Sequence, residues 1–213
     1  MKAVGSYWLP DQDEFLVKDY KVHGGHDIDK LFRAMGHVET RECAIDGGAH
    51  AGSWSRKLSD LFNEVIAVEV EYQTYRCLQR NVQGFANVTA FHYALWDTSD
   101  VLMQTELRVK GNTGTFQVSP SVNGDGIRSV TVDDLVGARN VGLLKLDVEG
   151  AELQALRGAK GTLTRCNPVV IWEWGEPTAK RYGTTYQQIA DYLTSLGYEE
   201  LAKLREDFIW KKP

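Results

Sequence analysis

The sequence predicts an α/β fold: a seven-stranded, mostly parallel sheet with helices on both faces, ended by a C-terminal antiparallel hairpin. Three observations predict it. Short apolar runs alternate with amphipathic stretches, the order expected of repeated βαβ units. The first run ends in an acid followed by a glycine-rich turn, Asp46-Gly47-Gly48. The last two runs, Tyr198 to Leu204 and Asp207 to Trp210, have no helix between them. So short a connection joins antiparallel strands, because a parallel pair needs a long crossover.

Each element follows from its own pattern. Glu42 to Asp46 reads as a buried strand, and Ser53 to Leu61 as the helix after its turn. Val65 to Glu69 is a second apolar run, stopped by an acid. Tyr72 to Val82 carries Tyr75, Leu78 and Val82 on one helical face. Val88 to His92 is the third strand, Leu143 to Asp147 the fourth and Val169 to Trp174 the fifth. Between the last two, Ala151 to Thr164 reads as one helix with Leu153, Leu156 and Leu163 inward. Thr185 and Gln188 form a capping box. The helix behind it carries Ile189, Tyr192, Leu193 and Leu196 and stops at Gly197. Val101 to Ser129 is rich in Gly, Ser, Asn and Thr, with short alternating runs such as Leu107-Arg108-Val109. It reads as a hairpin insertion over one sheet edge, of a length that often serves as a lid or binding loop. With no repeat or long linker, residues 1–213 read as a single domain. Within it, 1–40 is a helical or loop extension and 101–129 the inserted region.

Composition narrows the function. A chain of 213 residues buries enough apolar surface to need no disulfide staples. The net charge of -5 gives no general attraction to a phosphate backbone, so no nucleic-acid partner is expected. Cys43, Cys77 and Cys166 are too widely spaced for a zinc motif or a disulfide framework. Cys43, beside Ala44 and Ile45, reads as a small buried apolar residue. The N-terminus meets Asp11, Asp13 and Glu14 before any apolar run and does not read as a signal peptide. No stretch approaches the roughly 20 apolar residues of a membrane span. A cytoplasmic setting is the expectation. His23-Gly24-Gly25-His26 offers only two histidines, a weak ligand set, and no metal is assigned to it.

Chemistry concentrates at two strand ends. In open α/β sheets the ligand lies just beyond the C-terminal ends of the strands, where the first strand delivers Asp46-Gly47-Gly48-Ala49-His50-Ala51-Gly52-Ser53. Glycines let the backbone turn sharply and approach a ligand closely, and backbone N–H groups at Gly52 and Ser53 could hold a carboxylate. A dinucleotide fold wants G-x-G-x-x-G. Here the spacing is Gly48-x-x-x-Gly52 with an acid before it, which suits the ammonium and sulfonium of S-adenosylmethionine. Asp46, Gly48, His50, Gly52 and Ser53 are therefore candidate cofactor contacts. Glu69, at the end of the second strand, fits a carboxylate that accepts both ribose hydroxyls better than its neighbour Glu71 does. Val70, Ala94 and Leu95 are candidates for the adenine wall. The second strand end is Lys145-Leu146-Asp147-Val148-Glu149-Gly150-Ala151-Glu152. A buried lysine is costly without an acidic partner. Clustered carboxylates repel unless a cation or hydrogen bonds relieve them.

These two segments resemble the FkbM family of methyltransferases. The resemblance runs from about Ala44 to Trp174. It takes in Ile45 to Gly52, Val68-Glu69-Val70-Glu71, Asn81, Asn112-Thr113-Gly114, Val130 to Leu135, Lys145 to Gly158 and Asn167 to Glu173. Lys-x-Asp-x-Glu-Gly-x-Glu is its most specific part. Val70 replaces a usual proline, and Gly47 stands where a larger residue is common. The resemblance implies a Rossmann-like class I methyltransferase using S-adenosylmethionine, and transfer of a methyl group to oxygen on a sugar or sugar-bearing metabolite. Under it Asp147 and Glu149 are candidates for base and positioner, Lys145 orients Asp147, and Glu173 binds acceptor hydroxyls. Asn112, Glu152 and Trp174 are further candidate acceptor contacts. The resemblance requires no metal, and none is assigned. The expected partner is a small-molecule or glycan acceptor. Two rival readings are an NAD-dependent oxidoreductase on the same sheet and a ribose-hydroxyl nucleic-acid methyltransferase. The missing dinucleotide glycines argue against the first and the acidic chain against the second.

Overall fold

The computed structural model describes residues 1–22 and 28–213, and the His23–His26 motif lies outside the described residues. The chain begins with a hairpin, β1 (Lys2–Val4) and β2 (Tyr7–Leu9), followed by α1 (Val17–Val22) and α2 (Ile28–Met35). The hairpin was not expected in an extension read as helix and loop. It exists because Val4, Tyr7 and Leu9 bury with Leu16 and Tyr20 against Ala51 and Cys77. Asn81 pins it there: its amide exchanges hydrogen bonds with both backbone groups of Trp8, at 2.7 and 2.8 Å, and donates to Ala51 O at 2.7 Å.

The α/β body follows in order: β3 (Cys43–Gly47), α3 (Ser53–Ser59), β4 (Glu64–Glu69), α4 (Tyr72–Val82) and β5 (Val88–His92). Next come four short strands and a helix: β6 (Ala94–Leu95), β7 (Leu102–Leu107), β8 (Phe116–Pro120), β9 (Ile127–Val130) and α5 (Val132–Val136). The body resumes with β10 (Val141–Leu146), α6 (Glu152–Arg157), α7 (Lys160–Cys166), β11 (Val169–Glu173), α8 (Glu176–Ala179) and α9 (Tyr186–Ser195). It ends with β12 (Glu199–Leu204) and β13 (Asp207–Lys211).

The main sheet has the order β12-β13-β11-β10-β3-β4-β5. The neighbours from β11 to β5 are parallel, and β13 lies antiparallel to both β11 and β12, so the seven-stranded sheet is mixed. Its strands are apolar on both faces, which is why they read as continuous hydrophobic runs. Ile45, Leu144, Leu146, Val170 and Trp172 meet residues of α5, α6, α7 and α9. Ala44, Leu143, Val169 and Ile171 meet Leu31 and Ala34 of α2 and Trp54 and Leu58 of α3 on the opposite face. The capping box at Thr185 and Gln188 is present, and Gly197 lies just past α9 with φ 87°. The chain leaves β3 outward to β4 and β5 and returns on the other side of β3 as β10. The switch point therefore falls between β3 and β10.

Two expectations change. The insertion is more than a hairpin: β9 returns to pair with both β7 and β6, giving a four-stranded sheet β6-β9-β7-β8. And the helix expected from Ala151 to Thr164 is two helices: the Gly158 carbonyl accepts from Asp133 N at 3.0 Å, and the Asp133 carboxylate accepts from Gly161 N and Thr162 N at the start of α7, at 2.8 and 2.7 Å. At the same junction the backbone approaches the loop after β6 so closely that a Cβ on Gly158 would overlap the Trp96 carbonyl oxygen.

That contact gives a stability prediction. Gly158→Ala must push the α6–α7 junction off Trp96. It is expected to cost about 1–3 kcal/mol, as overpacking does, and so to lower the melting temperature by several degrees. Thermal denaturation of the two proteins checks it, and an unchanged midpoint contradicts the close approach.

Candidate active site

A cavity of about 310 Å³ lies over the C-terminal ends of β3, β4, β10 and β11, where an open α/β sheet places its ligand. The turn after β3 forms one wall. Gly48 has φ 71°, and a Cβ on it would overlap the Asp147 carbonyl oxygen, so only glycine lets this turn lie against the end of β10. Gly48 N and Ala49 N donate to Val68 O at 3.0 and 2.9 Å, and His50 N donates to Glu69 Oε2 at 2.9 Å. The other Glu69 oxygen accepts from Glu71 N at 2.8 Å. Burial pushes the Glu69 carboxyl up to about 7. Glu71 is committed elsewhere: its side chain caps α4 by accepting from Thr74 N at 2.6 Å. Val70, Tyr93, Ala94 and Leu95 continue the wall beside Glu69.

Lys145 stands at the switch point. In register it pairs with Asp46 on β3. Its Nζ lies 3.2 Å from Asp46 Oδ1 and 3.6 Å from Asp147 Oδ2, and donates to Gly48 O at 2.9 Å. Burial works against its charge, yet Asp46 and Asp147 outweigh it and hold the ammonium above its ordinary range. Ser55 Oγ donates to the other Asp46 oxygen at 2.6 Å. Asp46 is thus fully buried and absent from the cavity wall. The acid before the glycines anchors Lys145 and Ser55 rather than facing a ligand.

Asp147, Glu149 and Glu173 each bring a carboxylate oxygen to the far end of the cavity, all within 4.8 Å of one another. Glu149 has φ 55°, in the left-handed region. Burial, then the neighbouring Asp147 charge, pushes its carboxyl up to about 8, with Arg108 at 3.4 Å acting in the opposite sense. Glu173 is raised further, first by Asp147 and then by burial. Beyond them Lys30 of α2 forms a buried ion pair with Asp207 of β13, and both line the cavity.

The roof comes from outside the α/β body. Phe15, Leu16 and Tyr20 of the extension and Asn112 to Thr115 of the insertion cover the opening. They are joined to the turn after β3: His50 Nε2 lies 2.8 Å from Thr113 Oγ1, whose hydroxyl donates to the buried Asp13 carboxylate.

The structure therefore brings Gly48, His50, Ser53, Glu69, Val70, Ala94, Leu95, Asn112, Lys145, Asp147, Glu149 and Glu173 to one cavity. It places four other expected residues elsewhere. Asp46 is buried as described. Gly52 lies off the cavity wall, where a Cβ would press on Leu78 of α4. Glu152 turns back under its own loop, accepting from Val148 N at 3.0 Å and Gly150 N at 3.2 Å. Trp174 packs edge-on against Tyr186, 6.5 Å between centroids, instead of facing an acceptor. The sequence did not single out Tyr20, Lys30, Trp54, Arg108 or Asp207, all on the wall. Only the polar composition of 101–129 signalled Arg108; the others carry no local mark.

The fold is Rossmann-like, with its cavity at the switch point of the parallel part of the sheet. The family described as Methyltransferase FkbM domain matches residues 46–200, and the chain belongs to that family. Among solved structures, methyltransferase FkbM from Methylobacillus flagellatus matches with a TM-score of 0.52 and 17% identity over 81% of this chain and 43% of that one. The present chain thus spans under half the length of that relative. Precorrin-6y C5,15-methyltransferase from Geobacter metallireducens matches with a TM-score of 0.54 and 14% identity over 97% of both chains. Aeropyrum pernix fibrillarin, solved with natively bound S-adenosyl-L-methionine, matches with a TM-score of 0.50 and 14% identity over 85% of this chain and 73% of that one. At these identities the likeness is one of fold. A comparison with curated proteins found no match. No helix among the described residues is long and apolar enough to cross a membrane.

The carboxyl cluster gives a pH prediction. Glu149 titrates from 4.5 when unperturbed to about 8 in the fold. Between those values the native state holds a proton that the unfolded chain has lost, so stability falls as pH rises through the window. Glu69 and Glu152, each raised to about 7 by burial, act in the same direction. Glu149→Gln is expected to lose less stability than the parent between pH 5 and 8.5. Urea denaturation of the ligand-free proteins at the two pH values measures this, and equal losses would refute the assignment.

Proposed function

We propose that this chain transfers a methyl group from S-adenosylmethionine to a hydroxyl oxygen of a sugar, glycan or other hydroxylated small molecule. The observation that carries this reading is the convergence of Asp147, Glu149 and Glu173 at one end of a cavity whose other end is a buried acid beside an apolar wall. The second end suits the cofactor. Glu69 would accept from the ribose hydroxyls, Val70, Ala94 and Leu95 would flank the adenine, and the close Gly48 turn leaves room for the amino-acid portion. His50 and Ser53 stand where a dinucleotide turn starting at Gly48 would need its second and third glycines, which disfavours NAD. When bound, S-adenosylmethionine supplies an electrophilic methyl group on a sulfonium.

The chain's own residues would do the rest. A hydroxyl becomes a useful nucleophile only if it is held in line and its proton has an acceptor. Asp147, with its side chain 41% exposed on the wall, is the group we assign to take that proton. Lys145 fixes its direction from below. Glu149 and Glu173 are held toward their protonated forms. A carboxyl that keeps its proton can donate to one hydroxyl and accept from another. That pairing fits a polyol with several neighbouring hydroxyls. The net charge of -5 gives no reason to expect a nucleic-acid acceptor. A cytoplasmic setting fits the same reading.

Two measurements test it. Calorimetric titration with S-adenosylhomocysteine and with NAD should show binding of the first, and tight binding of NAD alone would overturn the reading. A labelled-methyl screen against glycans, nucleotide sugars and small hydroxylated metabolites should then identify an acceptor. On that acceptor Asp147→Ala should reduce kcat by on the order of 100-fold or more while S-adenosylhomocysteine still binds. Undiminished turnover would remove Asp147 from its assigned role.

A further inference from the structure

We propose that Gln117 and Arg108, both carried by the inserted region, are positioning residues for Glu149. They fix its left-handed backbone and aim its carboxylate over the cavity. The inference rests on the methyl-transfer reading for what Glu149 does, but its structural content stands on separate geometry.

Glu149 is a non-glycine residue at φ 55°. Such a backbone is strained for a residue with a side chain and persists only where the surroundings over-determine it. Glu152 supplies half of the restraint from below, accepting the amides on either side of Glu149, from Val148 and Gly150. The insertion supplies the other half. Gln117 of β8 is 4% exposed, and its Nε2 donates to Glu149 O at 2.8 Å and to Thr178 O at 3.2 Å. Two carbonyls converge there, and the two hydrogens of one amide nitrogen satisfy both. A glutamate would oppose lone pairs to lone pairs, and a leucine would leave both carbonyls unpaired.

Arg108 follows β7, and its backbone N donates to Thr115 O at 3.1 Å. Its Nη2 lies 3.4 Å from Glu149 Oε2. The groups facing the Glu149 carboxyl are therefore Arg108 from the insertion, Asp147 and Glu152 from its own strand-to-helix segment, Glu173 from β11, and Tyr182 after α8. Arg108 is the only cation among these groups. The loop at 147–150 and the sheet at 102–130 are thus one mechanical unit. A change at Gln117 or Arg108 would be felt at Glu149 without touching Glu69, whose link to the insertion runs through His50 and Thr113.

The test uses the full chain and needs no acceptor for its first arm. Carbon-13 NMR titration of the Glu149 carboxyl, assigned by its loss in Glu149→Gln, reports the environment directly. Arg108→Gln should move the midpoint upward, and Arg108→Lys should return it toward the parent value. Gln117→Leu should release the bend and let the midpoint fall toward that of an ordinary glutamate. S-adenosylhomocysteine affinity should stay within about twofold in all three. On an acceptor found by the screen, Gln117→Leu and Arg108→Gln should lower kcat by on the order of 10- to 100-fold, with KM for S-adenosylmethionine unchanged and with recovery in Arg108→Lys. Folded variants whose Glu149 titrates as in the parent would overturn the proposal. If Gln117→Leu does not fold, Arg108→Gln, at a partly exposed side chain, decides alone. If Glu149→Gln itself leaves transfer intact, the role given to Glu149 fails, while the titration still decides whether Gln117 and Arg108 position it.

Discussion

The Lys145 ammonium is the interaction on which the rest of the site depends. It sits in β10, beside β3 at the switch point, and meets Asp46 of β3 and Asp147 just past the end of its own strand. A lysine buried in a sheet core would be strongly destabilising without partners. Here two carboxylates and the Gly47 and Gly48 carbonyls surround it. One charge therefore fixes the register of β3 against β10, holds down the glycine turn and points Asp147 at the cavity. Trp54, with its ring centroid 5.8 Å from Nζ, closes the remaining side. Replacing the ammonium by an apolar group would leave Asp46 buried against Ser55 alone, with no compensating cation.

Strain is stored on both sides of that lysine. His50 at φ 48° and Glu149 at φ 55° are non-glycine residues in the left-handed region at opposite ends of the cavity. Each is held by a segment outside the α/β body. His50 leans on Thr113 and, through it, on Asp13. Glu149 is held by Gln117. The extension and the insertion thus complete the site: without them two strained residues would lose the contacts that oppose relaxation.

Much of the body was legible because each strand obeys a local rule. Runs such as Leu143-Leu144 and Val169-Val170 are apolar at every position because both sheet faces are covered, and Thr185 with Gln188 is a complete capping signal in four residues. The C-terminal hairpin followed from the shortness of its link. What escaped is long-range. Nothing near Gly158 announces the distant Asp133 carboxylate that starts a second helix there, or the Trp96 carbonyl that lies against the junction. Nothing in the Asp46 turn says which way its side chain points, although a buried Lys145 demanded an acid, and Asp46 is its register partner. Glu152 looked like one more active-site acid because its position beyond Glu149 cannot reveal that it turns back to two backbone amides.

The same contrast separates the two ends of the cavity. The wall assigned to the cofactor is made of short pieces, 48–50 with Ser53, 68–70 and 93–95, so a single turn and a strand-end acid already describe it. The end assigned to the acceptor is assembled from Lys30, Arg108, Glu149, Glu173 and Asp207, which no segment of sequence brings together. They meet only because β10 and β11 lie side by side, β13 returns antiparallel beside β11, and α2 packs across one face of that sheet. A constellation built this way can change its acceptor by altering the insertion, the extension or the hairpin turn, while the glycine turn, Lys145 and Glu69 stay as they are. The division explains why the cofactor class can be argued from a few residues of sequence, whereas the acceptor depends on packing across the whole fold.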